Sequence, residues 1–208
     1  MTARASDALP RRRGRPGYDL AGVLDVAVDV FNERGYDGTR MEHLSQRLGI
    51  SKSAIYHHVA GKEALLQLAL DHALDGLFGV VESVMSDAGA PVEKLERLVR
   101  GSVGVLGERL PYVTLLLRVH GNTEVERRVL VRRRRFDHLV ADLVARAIAD
   151  GDLRPDIDPA ITSRLLFGMV NSLVEWYRPR GDDDHELIAE AVVHTAFEGI
   201  RSVSRPPG

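Results

Sequence analysis

Residues 39–58 read TRMEHLSQRLGISKSAIYHH, two short helices hinged at Leu48-Gly49-Ile50-Ser51. Thr39 and Glu42 have the Thr-x-x-Glu spacing of a capping box, in which each side chain serves an orphan amide at a helix start. Leu44 and Leu48, one turn apart, give the first helix a buried face. Gly49 allows the chain to leave that helix with φ > 0. Ser51 caps the next helix, whose Ala54 and Ile55 pack inward. Lys52, Ser53, Tyr56 and His57 are left pointing outward. A two-helix unit with a glycine turn and a polar second helix is the arrangement that reads the major groove of DNA. An ordinary helical hairpin carries the same caps and glycine, so the surroundings must decide.

They favour DNA. Residues 10–15 read Pro-Arg-Arg-Arg-Gly-Arg, a basic arm just ahead of the first helix. Arg11, Arg12, Arg13 and Arg15 are suited to phosphates or to the narrow minor groove. Alone, such a cluster reads as a solubilising tail. Residues 1–62 hold ten Lys/Arg against seven Asp/Glu, and the rest of the chain holds 18 against 23. A small cationic head joined to a larger acidic body is hidden by the net charge of −2.

With no cysteine in 208 residues, disulfides, thiolate nucleophiles and thiolate-bound metals are excluded. The N-terminal arginines are not followed by an apolar segment, so they do not read as a secretory signal. No apolar run approaches the roughly 20 residues of a membrane span. A cytoplasmic, nucleoid-associated protein is expected. No paired carboxylates, Ser/His/Asp set or phosphate-cradling loop recurs at useful spacing, so an enzyme is not expected, nor a cofactor. His194 and Glu198, four apart on one helix, lack the third ligand that a metal site needs.

The rest of the chain has helical period throughout. A first helix over 20–34, capped by Asp19 and stopped by Gly35, uses Val23, Leu24, Ala27, Val30 and Phe31 to cover the two that follow. A longer helix, about 62–85, connects this head to the body. Further helices are expected over about 92–108, 111–120, 123–150, 159–178 and 184–203, with an exposed turn at 179–184. The expected fold is all-α with about nine helices. It comprises an arm (1–18), a helix-turn-helix head (19–61), a ligand-binding and dimerisation domain (62–203) and a tail (204–208).

The order of parts in AVDVFNERGYDGTRMEHLSQRLGISKSAIYHHVAGKEALL, residues 27–66, resembles the TetR family of bacterial transcriptional regulators. The matching features are the Gly-Tyr-x-Gly-Thr after the first helix, Leu-Gly-Ile-Ser at the turn, Ile-Tyr-x-His, and Gly-Lys-Glu-x-Leu. The resemblance implies a homodimer on a palindromic operator, released when a small effector binds the second domain. By family position Thr39 and Lys62 touch phosphates, and Ser51, Lys52, Ser53, Tyr56 and His57 lie at or near the groove. The chain departs from many relatives at Tyr56-His57-His58-Val59, where His58 adds an ionisable imidazole or is simply a surface histidine.

The last two helices are apolar around more of their circumference than a surface helix should be. Leu165, Met169, Leu173, Ile188, Val192, Ala196 and Ile200 are the candidate dimer contacts, with packing inside the chain as the alternative. On helix 123–150, Arg132 and Arg133 edge the stripe of Val125, Val129, Phe136, Val140, Leu143 and Ala147, while Arg134 and Arg135 point away. Paired or solvated arginines are one reading. The sharper one is an apolar pocket with a cationic mouth, lined by Leu116, His120, Arg132, Arg133, Phe136, Val140, Phe167 and Trp176. The Arg127–Phe136 pattern and the Glu175–Pro179 ending look similar to acyl-CoA-responsive members of the family. An uncharged hydrophobic effector, and activation instead of repression, are the alternatives.

Overall fold

Asp19 accepts a hydrogen bond from the Gly22 amide at 2.8 Å and starts α1 (Leu20–Arg34), which Gly35 ends at φ 74°. In this computed structural model the described residues are 19–178 and 184–200. The arm with Arg11, Arg12, Arg13 and Arg15, most of the 179–184 turn and the tail lie outside them. Among the described residues the helices are α1, α2 (Met41–Leu48), α3 (Lys52–Tyr56), α4 (Lys62–Ser86), α5 (Pro91–Glu108), α6 (Leu110–Leu117), α7 (Glu124–Ala149), α8 (Pro159–Trp176) and α9 (Asp184–Ile200). The expected all-α fold is present.

Val23, Ala27, Val30 and Phe31 are buried on α1, which packs against α2, with Leu24 half-buried. Leu44, Leu48 and Ile55 complete this small core. Gly49 takes φ 67°, ψ 29°, a left-handed turn that a side chain would strain. Ser51 Oγ then accepts from the Ala54 amide at 3.2 Å, as its capping role requires.

The Thr39–Glu42 capping box does not form. α2 starts one residue later, after Arg40, whose amide donates to His43 Nδ1 at 3.2 Å. Thr39 therefore lies outside the helix and turns inward. It is 1% exposed, and its hydroxyl donates to the Gly35 carbonyl at 2.7 Å. Glu42 instead accepts from Lys52 at 2.6 Å across the turn.

α4 packs against α1, α5, α6 and α7, so it runs from the head into the body. By length and hydropathy it alone among the described helices resembles a membrane span. Its apolar side, from Leu65 to Val84, is the centre of the core. Gly101 lets α5 approach α4, because a Cβ there would meet Val80 at 2.5 Å. Thr123 and Glu126 form the capping box that starts α7, and Asp158 caps α8 through the Ile161 amide. The α7–α8 loop is pinned to the end of α9 by Arg154 N donating to the Ile200 carbonyl at 3.0 Å.

Thr39→Val keeps the shape but orphans the Gly35 carbonyl. It should lower stability by about 1–2 kcal/mol, read as a shifted urea midpoint with unchanged slope.

Candidate DNA-reading face and effector cavity

α3 presents Lys52, Ser53, Tyr56 and His57 on one surface, and His58 lies just beyond it, all exposed. Tyr56 is 52% exposed, whereas Ile55 and Val59 on the other side are buried and hold the helix against the head. Lys52 pairs with Glu42, and their hydrogen bond raises the lysine pKa and lowers that of the glutamate. Both partners are half-exposed, so the pair is weak in water and a phosphate can replace the carboxylate.

Two expected phosphate contacts are modified. Thr39 is buried and its hydroxyl is used within the head, so it positions the head and does not present a donor to DNA. Lys62 Nζ donates to the carbonyls of Tyr36 at 2.8 Å and Thr39 at 3.0 Å, and lies 4.0 Å over the Tyr36 ring. One of its three hydrogens remains for a phosphate.

An apolar cavity of about 70 Å³ lies between α4, α5, α6, α7 and α8. Leu116, Arg133, Phe136 and Phe167 line it, as expected. Phe136 stacks edge-on against Phe167 at 4.8 Å and against Phe78 at 6.3 Å. Asp137 and Asn171 also line it. A stripe count does not find them, since both are polar and flank the apolar positions by one residue.

The other four expected lining residues do not reach the cavity. Arg132 donates to Asp71 at 2.9 Å and Asp75 at 2.6 Å and lies over Phe78, so it ties α7 to α4. Val140 is fully buried in the packed core one turn past Phe136. His120 lies beyond the end of α6, exposed, in a separate cleft between head and body. Trp176 is 58% exposed, because nine residues place it half a turn away from Phe167.

Arg133 differs from Arg132. It is half-buried, donates at 3.4 Å to the Leu116 carbonyl, and has no carboxylate within 4.0 Å among the described residues. Arg134 and Arg135 are exposed, as the helical geometry requires.

The dimer candidates divide the same way. Leu173, Val192 and Ala196 are buried within the chain, because their faces of α8 and α9 turn toward the core. Met169, Ile188 and Ile200 are half-buried. Leu165 is 66% exposed, with Ile161 and Trp176 on the same side of α8 and Leu187 on α9. The unpartnered apolar face is this narrower stripe.

α6 joins the two regions. On its outer side Tyr112 donates a hydrogen bond to Asp25 of α1, and the Pro111 carbonyl accepts from Asn32 Nδ2 at 2.8 Å. Arg118 at its end donates to the Asn32 carbonyl at 2.8 Å. Burial and the Asp25 carboxylate push the Tyr112 phenol far above its usual pKa, which keeps it a donor. His72 stacks on Tyr112 at 4.6 Å, and burial beside Arg109 lowers its pKa.

Residues 23–69 match the family described as bacterial regulatory proteins, tetR family, and residues 88–200 match the tetracyclin repressor-like C-terminal domain. SCO3833 of Streptomyces coelicolor, a TetR-family member of solved structure, is 54% identical, with a TM-score of 0.81 over 86% of this chain and 91% of its own. The transcriptional repressor KstR2 of Mycolicibacterium smegmatis is 26% identical over 92% of this chain and 95% of its own. AibR, solved in complex with isovaleryl coenzyme A and operator DNA, is 28% identical, with a TM-score of 0.71 over 86% of this chain and 97% of its own. This chain belongs to the TetR family of bacterial transcriptional regulators, and it is a regulator and not an enzyme.

Proposed function

We propose that the chain is a homodimeric repressor that occupies a two-fold operator and leaves it when an acyl-coenzyme A thioester enters the α4–α8 cavity. Residues 19–61 act as the reading head and 62–203 as the effector and dimer domain. The observation that carries the effector reading is Arg133, a half-buried guanidinium facing a largely apolar cavity with no carboxylate partner among the described residues. A half-buried cation in such surroundings favours an anionic or strongly accepting group. The AibR complex is a relative with a ligand of this class.

The cavity is far smaller than the roughly 300–1,000 Å³ of a typical small-molecule site. An acyl chain must therefore part its walls, and the strain of opening is what repositions the heads. On the DNA side, Lys52, Ser53, Tyr56 and His57 read the groove, while Ser51 and Lys62 and the arm residues Arg11, Arg12, Arg13 and Arg15 support them along the backbone. Ile161, Leu165, Trp176 and Leu187 meet their two-fold mates in a four-helix contact. The compartment is the cytoplasm, at the nucleoid.

In mobility shifts on DNA flanking its own gene, binding should weaken steeply with salt. Tyr56→Ala should cost about 1–3 kcal/mol on the specific site, with little change on random duplex. No salt-sensitive binding would overturn the operator reading.

Isovaleryl-CoA and longer acyl-CoA thioesters should raise the melting temperature, and Arg133→Ala should remove that shift while retaining DNA binding. Arg132→Ala should instead destabilise the free protein, since it leaves Asp71 and Asp75 facing each other. A response only to uncharged hydrophobes would identify a multidrug-type sensor.

Leu165→Glu should convert the dimer to a monomer in sedimentation and abolish operator binding.

A further inference from the structure

The cleft that holds His120 is larger than the effector cavity and separate from it. It measures about 370 Å³, inside the range of roughly 300–1,000 Å³ that small-molecule sites occupy. Its head wall is the end of α1 and the turn that follows, from Phe31 to Gly38. Its body wall is the end of α6 and the start of α7, with Leu66 of α4 between them.

The polar groups of this cleft are sorted by depth. At the rim, Arg34 and His120 are exposed and make no hydrogen bond or ion pair among the described residues. Arg118, also exposed, spends one nitrogen on the Asn32 carbonyl. One exposed carboxylate, Asp37, shares the rim with these three. Deeper in, Glu126 is 7% exposed. Its Oε2 accepts from the Asn122 and Thr123 amides, which leaves Oε1 uncommitted. Asn32 Oδ1 is buried without a hydrogen-bond partner, and the hydroxyl of half-buried Tyr36 has none among the described residues. Burial and the carboxylates of Glu63, Asp37 and Glu126 raise the Tyr36 phenol above its usual pKa, so it stays protonated beside an anionic wall. α1 and α6 both end at this cleft, and helix C-terminal ends attract cations.

We propose that this cleft binds a small zwitterion of the amino-acid class, its ammonium against Glu126 and Asn32 and its carboxylate at Arg34, Arg118 and His120. Acceptors in the depth and cations at the rim demand that polarity. A simple cation would meet the rim guanidiniums, and a simple anion would meet the Glu126 carboxylate. An ammonium carries three donors, enough for Glu126 Oε1, Asn32 Oδ1 and the Tyr36 phenol oxygen. A buried acceptor left without a donor is costly, so the occupant offsets a cost that the free protein carries at Asn32. At the rim, a carboxylate can take a guanidinium in two parallel bonds. One wall belongs to the head and the other to the body, so the occupant touches both.

Calorimetric titration of the full chain with the natural amino acids, one at a time, provides the test. At least one should bind and raise the melting temperature. Glu126→Gln removes the charge but keeps an oxygen for the Asn122 and Thr123 amides, so α7 retains its cap. Arg34→Ala removes a side chain that makes no hydrogen bond or ion pair among the described residues. Each variant should weaken binding of that amino acid about tenfold or more, the worth of one hydrogen bond to a charged group. The amine lacking the carboxylate and the acid lacking the ammonium, with the same side chain, should each bind about tenfold more weakly than the zwitterion. Arg133→Ala, in the other cavity, should leave the affinity within about twofold.

No binding by any of the amino acids at millimolar concentration overturns the proposal. Binding that is unchanged by both Glu126→Gln and Arg34→Ala lies elsewhere on the chain and overturns the site. Equal affinity for the amine or the acid alone overturns the zwitterion. If Glu126→Gln does not fold, Tyr36→Phe takes its place beside Arg34→Ala, since it keeps the ring beneath Lys62 and removes only the hydroxyl. The effector cavity is a separate space, so failure here leaves the acyl-coenzyme A reading standing.

Discussion

The ammonium of Lys62 is the constraint on which the placement of the reading face depends. The turn between α1 and α2 leaves the carbonyls of Tyr36 and Thr39 facing the start of α4, and Lys62 donates to both. The bonds are charge-assisted and half-buried, with the Tyr36 ring beneath the cation, a setting in which such bonds are stronger than on an open surface. Thr39 secures the same turn from the other side through the Gly35 carbonyl. The first residue of the connector helix therefore belongs mechanically to the head. Any motion of the N-terminal end of α4 is passed to α2 and α3 without slack.

The four consecutive arginines on α7 show how position on a helix decides the fate of identical side chains. Successive residues are 100° apart, so Arg132 faces α4, Arg133 faces the cavity, and Arg134 and Arg135 face water. Arg132 is half-buried and has two carboxylates, so it serves as structure. Arg133 is similarly buried and has none among the described residues. Removing a charge from water without a partner is costly, and at Arg133 the Leu116 carbonyl offsets only part of that cost.

Much of this was legible in the sequence because local rules dominated. Asp19 and Gly35 bound α1 as read, since a cap and a stop act within one turn. The outward set on α3 follows from Ala54 and Ile55 being its inward-packing residues. The misreadings arose where a distant partner competed with a local one. Thr39 and Glu42 have capping-box spacing, but Gly35 captured the hydroxyl and Lys52 the carboxylate. Leu173, Val192 and Ala196 are apolar residues of α8 and α9, yet only packing against α5 and α7 shows that they point inward. The Tyr112–Asp25 pair spans 87 residues, and no spacing rule reaches across that distance.

In the proposed effector reading, the small cavity sets the energetics of release. A ligand must supply both the cost of parting the walls and the free energy that moves the heads off the operator. By reciprocity, operator binding resists ligand entry by the same factor. Burying a methylene is worth about 0.8 kcal/mol, and typical couplings are about 1–3 kcal/mol. Two to four additional buried methylenes therefore cover the coupling once the cavity is open. In the proposed reading, acyl-chain length sets how far the cavity opens, while Arg133 sets which head group is accepted. The two requirements fall on different atoms of the ligand, so potency and selectivity can be tuned separately by residues on α6 and α7.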